Sequence, residues 1–266
     1  MCARLPKPPS SGSWFDIVCQ VPTPRSARDP LIGSEGSSVT PNGCIEIEYS
    51  EADNGFFPEL VRLVISMSAI GIGFELHKTG VVKPYGPGQP MVLEGKQGVS
   101  GLEIHFFPAP LYGRLLSPTG RQPRFMRIIK KQVSKSPAEH PIKLGNVQLL
   151  MARLVGDAFV SYYERHVDVV ESIWGKEKSG NWPSEWDFGW AMRNACAHNG
   201  LISIRRKDHP GVIWKNLKYG YADNNRQVLF DEITGVELIL LMEEMDAKLR
   251  QTVGSGVPPK CAKLRP

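Results

Sequence analysis

Cysteine is scarce in this chain and does not pair. Cys2, Cys19, Cys44, Cys196 and Cys261 are odd in number and none stands in a C-x-x-C spacing. That argues against a disulfide framework or a zinc knuckle and fits a reducing cytosol. No apolar leader follows Met1, so no signal peptide is expected. The longest apolar run, Leu63 to Phe74, is too short for a bilayer, so no membrane partner is expected. His77, His105, His140, His166, His198 and His209 never form H-x(3)-H or H-E-x-x-H. No metal site and no cofactor is therefore expected. G-x(4)-G-K-[ST] and G-x-S-x-G are both absent, which removes the P-loop and the nucleophile elbow.

What is present suits a soluble, cytoplasmic globular protein. The 266 residues are 41% hydrophobic and 22% charged, enough apolar matter for a real core. A net charge of +5 and a pI near 8.9 are compatible with a nucleic-acid partner without requiring one.

Residues 1–43 are rich in Pro, Ser and Gly and read as an extension, with Trp14–Val21 as its one strand. Cys44–Tyr49 alternates apolar and polar, the period of a half-exposed strand. Pro58 suits the first turn of a helix and Glu59 complements its dipole, so Glu59–Lys78 is expected as a buried helix. Residues 79–140 are broken by Gly and Pro and are expected as an irregular basic insertion, with Leu102–Phe107 as a strand. Between Ile104 and Ala138 there is no Asp or Glu. Arg121, Arg124, Arg127, Lys130 and Lys131 lie in that span and make it a candidate strip for RNA phosphates. The plainer account is an exposed loop and a solvated helix face.

Asn146 to Trp174 carries apolar residues at three- and four-residue intervals and is expected as one long helix. Ser184 with Asp187 approximates a capping box for the next helix. Leu201–Arg205 and Val212–Trp214 read as a hairpin turned by Arg206–Gly211, and Asp223–Arg226 as a tight turn. Asp231–Arg250 is amphipathic, with Glu243, Glu244, Asp246 and Lys248 expected outside. Residues 252–266 form a basic Gly/Pro tail.

The helix Trp186–Ala197 carries the chemistry. Asn199-Gly200 supplies the left-handed stop a helix end prefers. Asn194 and His198 are i,i+4 neighbours, and the Arg193 side chain is long enough to join them. Cys196 stands next to them, and a Cys–His pair is the weaker chemical alternative. The Arg193-Asn194-x-x-x-His198 pattern, at the end of a helix and before a glycine, resembles the R-x(4–6)-H signature of the HEPN superfamily. The resemblance covers roughly residues 144–250. It implies a mainly α fold, a four- or five-helix bundle with small β-hairpin additions. The corresponding domain is 44–251, with its core at 144–251. It also implies a metal-independent endoribonuclease, a toxin or phage-defence effector, with Arg193, Asn194 and His198 catalytic. In such enzymes two subunits share a composite cleft, so a homodimer is expected, with RNA as substrate and an antitoxin or other regulatory protein as partner. Some toxin members carry a Tyr two residues after the His, where the antitoxin modifies it. Here that place is Gly200, which puts that route in doubt. The alternative is a non-catalytic HEPN-like module that binds RNA, nucleotide or a partner protein.

Overall fold

The computed structural model describes residues 38–39, 44–81, 85–86, 88–116, 123–133, 146–176 and 181–254. The expected strand at Trp14–Val21, most of the extension 1–43 and the tail beyond 254 lie outside them.

Among the described residues 51% are helical and 19% are strand. The fold is therefore a mixed α/β one, not the mainly α bundle expected. The helices α1 Phe57–Thr79, α3 Asn146–Trp174 and α4 Ser184–Ala197 lie close to where the periodicity put them, whereas α5 Gly235–Gly254 starts and ends four residues later than expected and takes residues 252–254 of the expected tail into the helix. The difference in fold class lies in the region between α1 and α3. Instead of an irregular insertion it holds β3 Met91–Glu94, β4 Leu102–Phe106, the short helix α2 Pro108–Leu115 and β5 Phe125–Gln132. With β1 Ser38–Val39 and β2 Ile45–Ser50 these strands make an antiparallel sheet of order β1-β2-β5-β4-β3.

The basic composition of β5 hides its period. Met126, Ile128 and Lys130 are buried, while Phe125 and Arg127 between them are exposed, which is the two-residue alternation of a sheet. Lys130 breaks the apolar half of that pattern. It is only 7% exposed and is kept inside by an ion pair with Glu243 of α5, its ammonium 5.7 Å from the Tyr49 ring.

Helix α1 starts with Pro58 in its first turn and stops at Gly80, whose φ is 69° and whose N–H bonds Leu76 O at 2.8 Å. Ile70–Leu76 stays inside it. The span Phe57–His77 is long and apolar enough to cross a membrane by length and composition, contrary to the estimate from the apolar run alone. Here it packs on α3 and α2. Phe56, Leu60 and Val64 are fully buried, while Phe74 and Leu76 near its far end are exposed.

Helix α5 touches α3, α4, β3 and β4, and so sits at the centre rather than on the surface. The four residues expected to face outward do not all do so. Asp246 is 2% exposed and accepts from Gly55 N–H through both oxygens at 3.2 Å. Glu243 holds Lys130, and Glu244 accepts from Trp214 Nε1 at 2.5 Å. A second correction concerns the hairpin. Val212–Trp214 (β6) pairs with Leu217–Tyr219 (β7), not with Leu201–Arg205. The turn is Lys215–Asn216, with Lys215 in the left-handed region. Leu201 bridges Gln227 instead, and Asn224 brackets Ile204 with hydrogen bonds of 2.6 and 2.8 Å.

The start of α5 is fixed by one carboxylate. Glu237 is fully buried. One oxygen accepts from Thr234 N–H (2.8 Å) and Thr234 Oγ1 (2.5 Å), while Thr234 Oγ1 also accepts from Val236 N–H. This resembles a capping box, with the Thr234 hydroxyl accepting from the second rather than the third residue of the helix. The other oxygen accepts from Lys96 N–H at 2.8 Å and from Ser100 Oγ in the β3–β4 connection. Replacing Glu237 with Ala should leave several buried donors unpaired and destabilise the fold by about 3 kcal/mol or more. Urea denaturation reads this directly. A loss under about 1 kcal/mol would show that the carboxylate does not fasten the two elements together.

Candidate functional site

Helix α4 reaches its end well anchored. Trp186, Phe188, Met192 and Ala195 are fully buried, and Trp186 Nε1 donates to Met245 O at 3.0 Å. Gly189 faces Met245 so closely that a Cβ would come within 2.7 Å of its sulfur, so a larger residue would require the Met245 side chain to move. The Ser184–Asp187 capping box does not form. Pro183 is the cap residue, and its carbonyl accepts from Trp186 and Asp187 N–H groups at 2.9 and 3.0 Å. The stop is as expected: His198 leaves helical geometry, Asn199 and Gly200 have φ of 56° and 88°, and Gly200 N–H closes on Ala195 O at 2.7 Å.

The three motif residues are near in sequence but only two meet. Arg193 Nη1 donates to Asn194 Oδ1 at 3.4 Å, a long bond, and Arg193 Nε donates to Glu164 of α3 at 2.5 Å. His198 is exposed, and its ring has no polar partner among the described residues.

A cleft of about 840 Å³ opens beside this helix end. Its walls are α3 (Arg153, Asp157, Val160), the last turn of α4 with Gly200, and the segment Gln227–Asp231. Arg193, Cys196, Ala197 and Asn199 line it. His198 does not, although the residues on both sides of it do. The motif therefore splits: Arg193 belongs to the cleft and His198 to its outer edge.

The cleft residues from α3 and from 227–231 were not foreseen. They come from two segments far apart in sequence, and neither carries a local motif. One signal is visible only in the backbone: Phe230 has φ of 70°, rare for a bulky side chain.

The basic strip is largely compensated. Arg121 lies outside the described residues, and Arg124 is exposed. Arg127 donates to Glu46 at 3.1 Å, Lys131 pairs with Glu103 at 2.7 Å, and Lys130 points inward to Glu243. Arg127 and Lys131 share one face of the sheet, and Lys130 is on the other. Three of the five cations thus meet carboxylates in the fold. Among the described residues no group of three His, Cys, Asp or Glu is arranged to hold a metal.

The chain matches no family model, no curated protein and no solved structure.

Two outcomes follow from the ionisable groups here. Burial alone would raise the Glu103 carboxyl, but hydrogen bonds and charge from Lys131 and His105 hold it below the usual carboxylate range. A depressed carboxyl stabilises the fold above its unfolded value of about 4.3, and that contribution is lost as pH falls through the folded value. Glu103→Gln should thus lower the unfolding midpoint at pH 7, and the difference from wild type should shrink below about pH 4. A difference that does not change with pH would remove the charged pair as its cause.

The second concerns Cys196. Burial, and then the Asp157 charge, push its thiol up to about 12. At pH 8 only about one molecule in ten thousand then carries the thiolate. Iodoacetamide at pH 8 should label Cys196 more than a hundredfold slower than a free cysteine peptide, as read by peptide mass spectrometry. Fast labelling would return the Cys–His pair to consideration.

Proposed function

We propose that the chain is a metal-independent endoribonuclease acting at the end of α4. His198 takes the proton of an RNA 2′-OH, whose oxygen attacks the adjacent phosphorus. A bond forms between the 2′-oxygen and phosphorus and the bond to the 5′-oxygen breaks, leaving a 2′,3′-cyclic phosphate. Arg193 holds the phosphate oxygens through its planar fork while charge builds on them, and Asn194 braces the guanidinium. The departing 5′-oxygen needs a proton, and in a homodimer of apposed motif helices the second copy's imidazole supplies it.

One observation carries this reading: an exposed imidazole with no polar partner among the described residues stands at a capped helix end, one residue from a cleft whose wall includes Arg193. Exposure leaves the ring open to an incoming RNA 2′-OH. The resemblance of Arg193-Asn194-x-x-x-His198 to the HEPN signature, and the single long helix α3 packed beside α4, support it further. The setting is a cytoplasmic toxin or phage-defence effector.

A second reading has its own observation. Arg193 is already tied to Glu164, and His198 stands outside the cleft wall. A non-catalytic HEPN-like module that binds RNA or nucleotide in the cleft would need no more than this.

Single-stranded RNA cleavage separates the two. Activity should survive EDTA, yield 2′,3′-cyclic ends and spare an RNA methylated at the scissile 2′-oxygen. His198→Ala and Arg193→Ala should each lose about a hundredfold or more, the scale of a lost general base or charge stabiliser. Full activity in His198→Ala, or dependence on added divalent metal, would defeat the proposal. Binding without cleavage by wild type would favour the module.

A further inference from the structure

The cleft beside α4 has a composition suited to something other than phosphate. Its apolar surface comes from Val160, Ala197, Leu229 and Phe230. Its acceptors are the carboxylates of Asp157 and Asp231 and the amide oxygen of Gln227. Neither Asp forms an ion pair among the described residues, and of the two arginines in the wall Arg193 is held by Glu164. The two carboxylates balance the charges of Arg153 and Arg193 in the same wall, so the cleft is not an anion site by net charge, and carboxylates accept from N–H donors such as the exocyclic amine of a base.

One hydrogen bond orients the amide. Gln227 Nε2 donates to Leu229 O at 2.9 Å, which leaves Oε1 as the end that accepts. Gly200 presses against that nitrogen, where any Cβ would collide with it. The side chain is exposed, and no described group donates to its oxygen.

Phe230 adds a flat apolar face under strain. Its φ of 70° is held by its own N–H donating to Ile233 O at 2.6 Å and by the bridge between Leu229 and Ile233. The conformation is rare for a bulky side chain, and the partly buried ring both packs against the core and lines the cleft. An aromatic face is what an unstacked base needs. The volume, about 840 Å³, suffices for a nucleotide.

The geometry points to this cleft as a subsite for one unstacked nucleobase carrying an exocyclic amine. Adenine, cytosine and guanine each present that amine. Uracil presents carbonyl oxygens to the same carboxylates and is disfavoured. The base enters the cleft, and its phosphate lies at the rim beside Arg193 and His198. The placement of the phosphate rests on the ribonuclease reading; the base subsite does not.

The test uses fully 2′-O-methylated oligonucleotides, which cannot be cleaved by 2′-oxygen attack, and the whole protein. Fluorescence anisotropy should show labelled oligocytidine and oligoadenosine binding about tenfold or more tighter than oligouridine, within the range one stacked and hydrogen-bonded base supplies. Phe230→Leu, which keeps apolar bulk but removes the ring, should weaken oligocytidine binding by about fivefold or more. The double variant Asp157→Asn with Asp231→Asn should erase the preference over oligouridine. Both Asp side chains are exposed and their replacements isosteric, so this variant tests the idea even if Phe230→Leu fails to fold. Equal affinity for the three oligonucleotides, or an unchanged preference in the double Asn variant, overturns the subsite. Preference without any RNA cleavage keeps the subsite and defeats the ribonuclease. Cleavage without preference does the reverse.

Discussion

A carboxylate with no access to water organises this fold. Glu237 gathers donors from the start of α5 on one oxygen and from the β3–β4 connection on the other. A buried charge is tolerated only where its acceptor sites are filled. Here the filling comes from two parts of the chain roughly 140 residues apart in sequence. The cap on the first turn of α5 is local, but the Glu237 carboxylate is fully satisfied only with the β3–β4 connection against it. Helix start and sheet edge complete each other. The Thr234 hydroxyl also lies 3.1 Å from Glu94 O, an alternative acceptor for the single hydrogen it gives to Glu237. With α5 located, α3 and α4 have a surface to pack on, and the sheet gains a helix across its inner face.

The end of α4 inherits its position from that arrangement. Trp186 is bonded to the α5 backbone, Gly189 lets Met245 approach, and Tyr162 and Tyr163 of α3 lie within 6.1 and 5.7 Å of the Trp186 ring. The buried half of α4 is thus rigid, while the last turn projects toward water. Chemistry requires this combination: a side chain that reaches its target while its backbone stays still. His198 and Arg193 differ in how they meet the requirement. The first is unpartnered among the described residues and the second is braced.

The helices were legible because their periodicity is long and survives local exceptions. α3 holds its stripe for 29 residues. The sheet was not legible, for reasons that can be named. β5 places a lysine where its inner face calls for an apolar residue, and the ion pair that permits this lies on α5, more than a hundred positions later. The same distance blurred α5, whose Glu243, Glu244 and Asp246 look like an outer face until Lys130, Trp214 and Gly55 are seen against them. The hairpin was assigned the wrong partner because Leu201–Arg205 has strand composition, while its hydrogen bonds go to Asn224, Asn225 and Arg226. Of the site, the helix end and its stop could be read from Asn199-Gly200. The cleft could not, since Asp157 and Phe230 meet only in three dimensions.

Phe230 places two selective pressures in opposition. A left-handed conformation costs a residue with a Cβ about 1–2 kcal/mol relative to glycine, a sizeable share of a domain's small net stability. Under drift toward robustness alone, position 230 would slide to glycine and the loop would relax. Keeping the aromatic ring there carries a standing load, which the Phe230 N–H bond to Ile233 O and the ring's packing on the core must offset. Such a position behaves as a local brake on thermostability. Stabilising this protein by screening random variants would tend to release that brake first and take the ring with it.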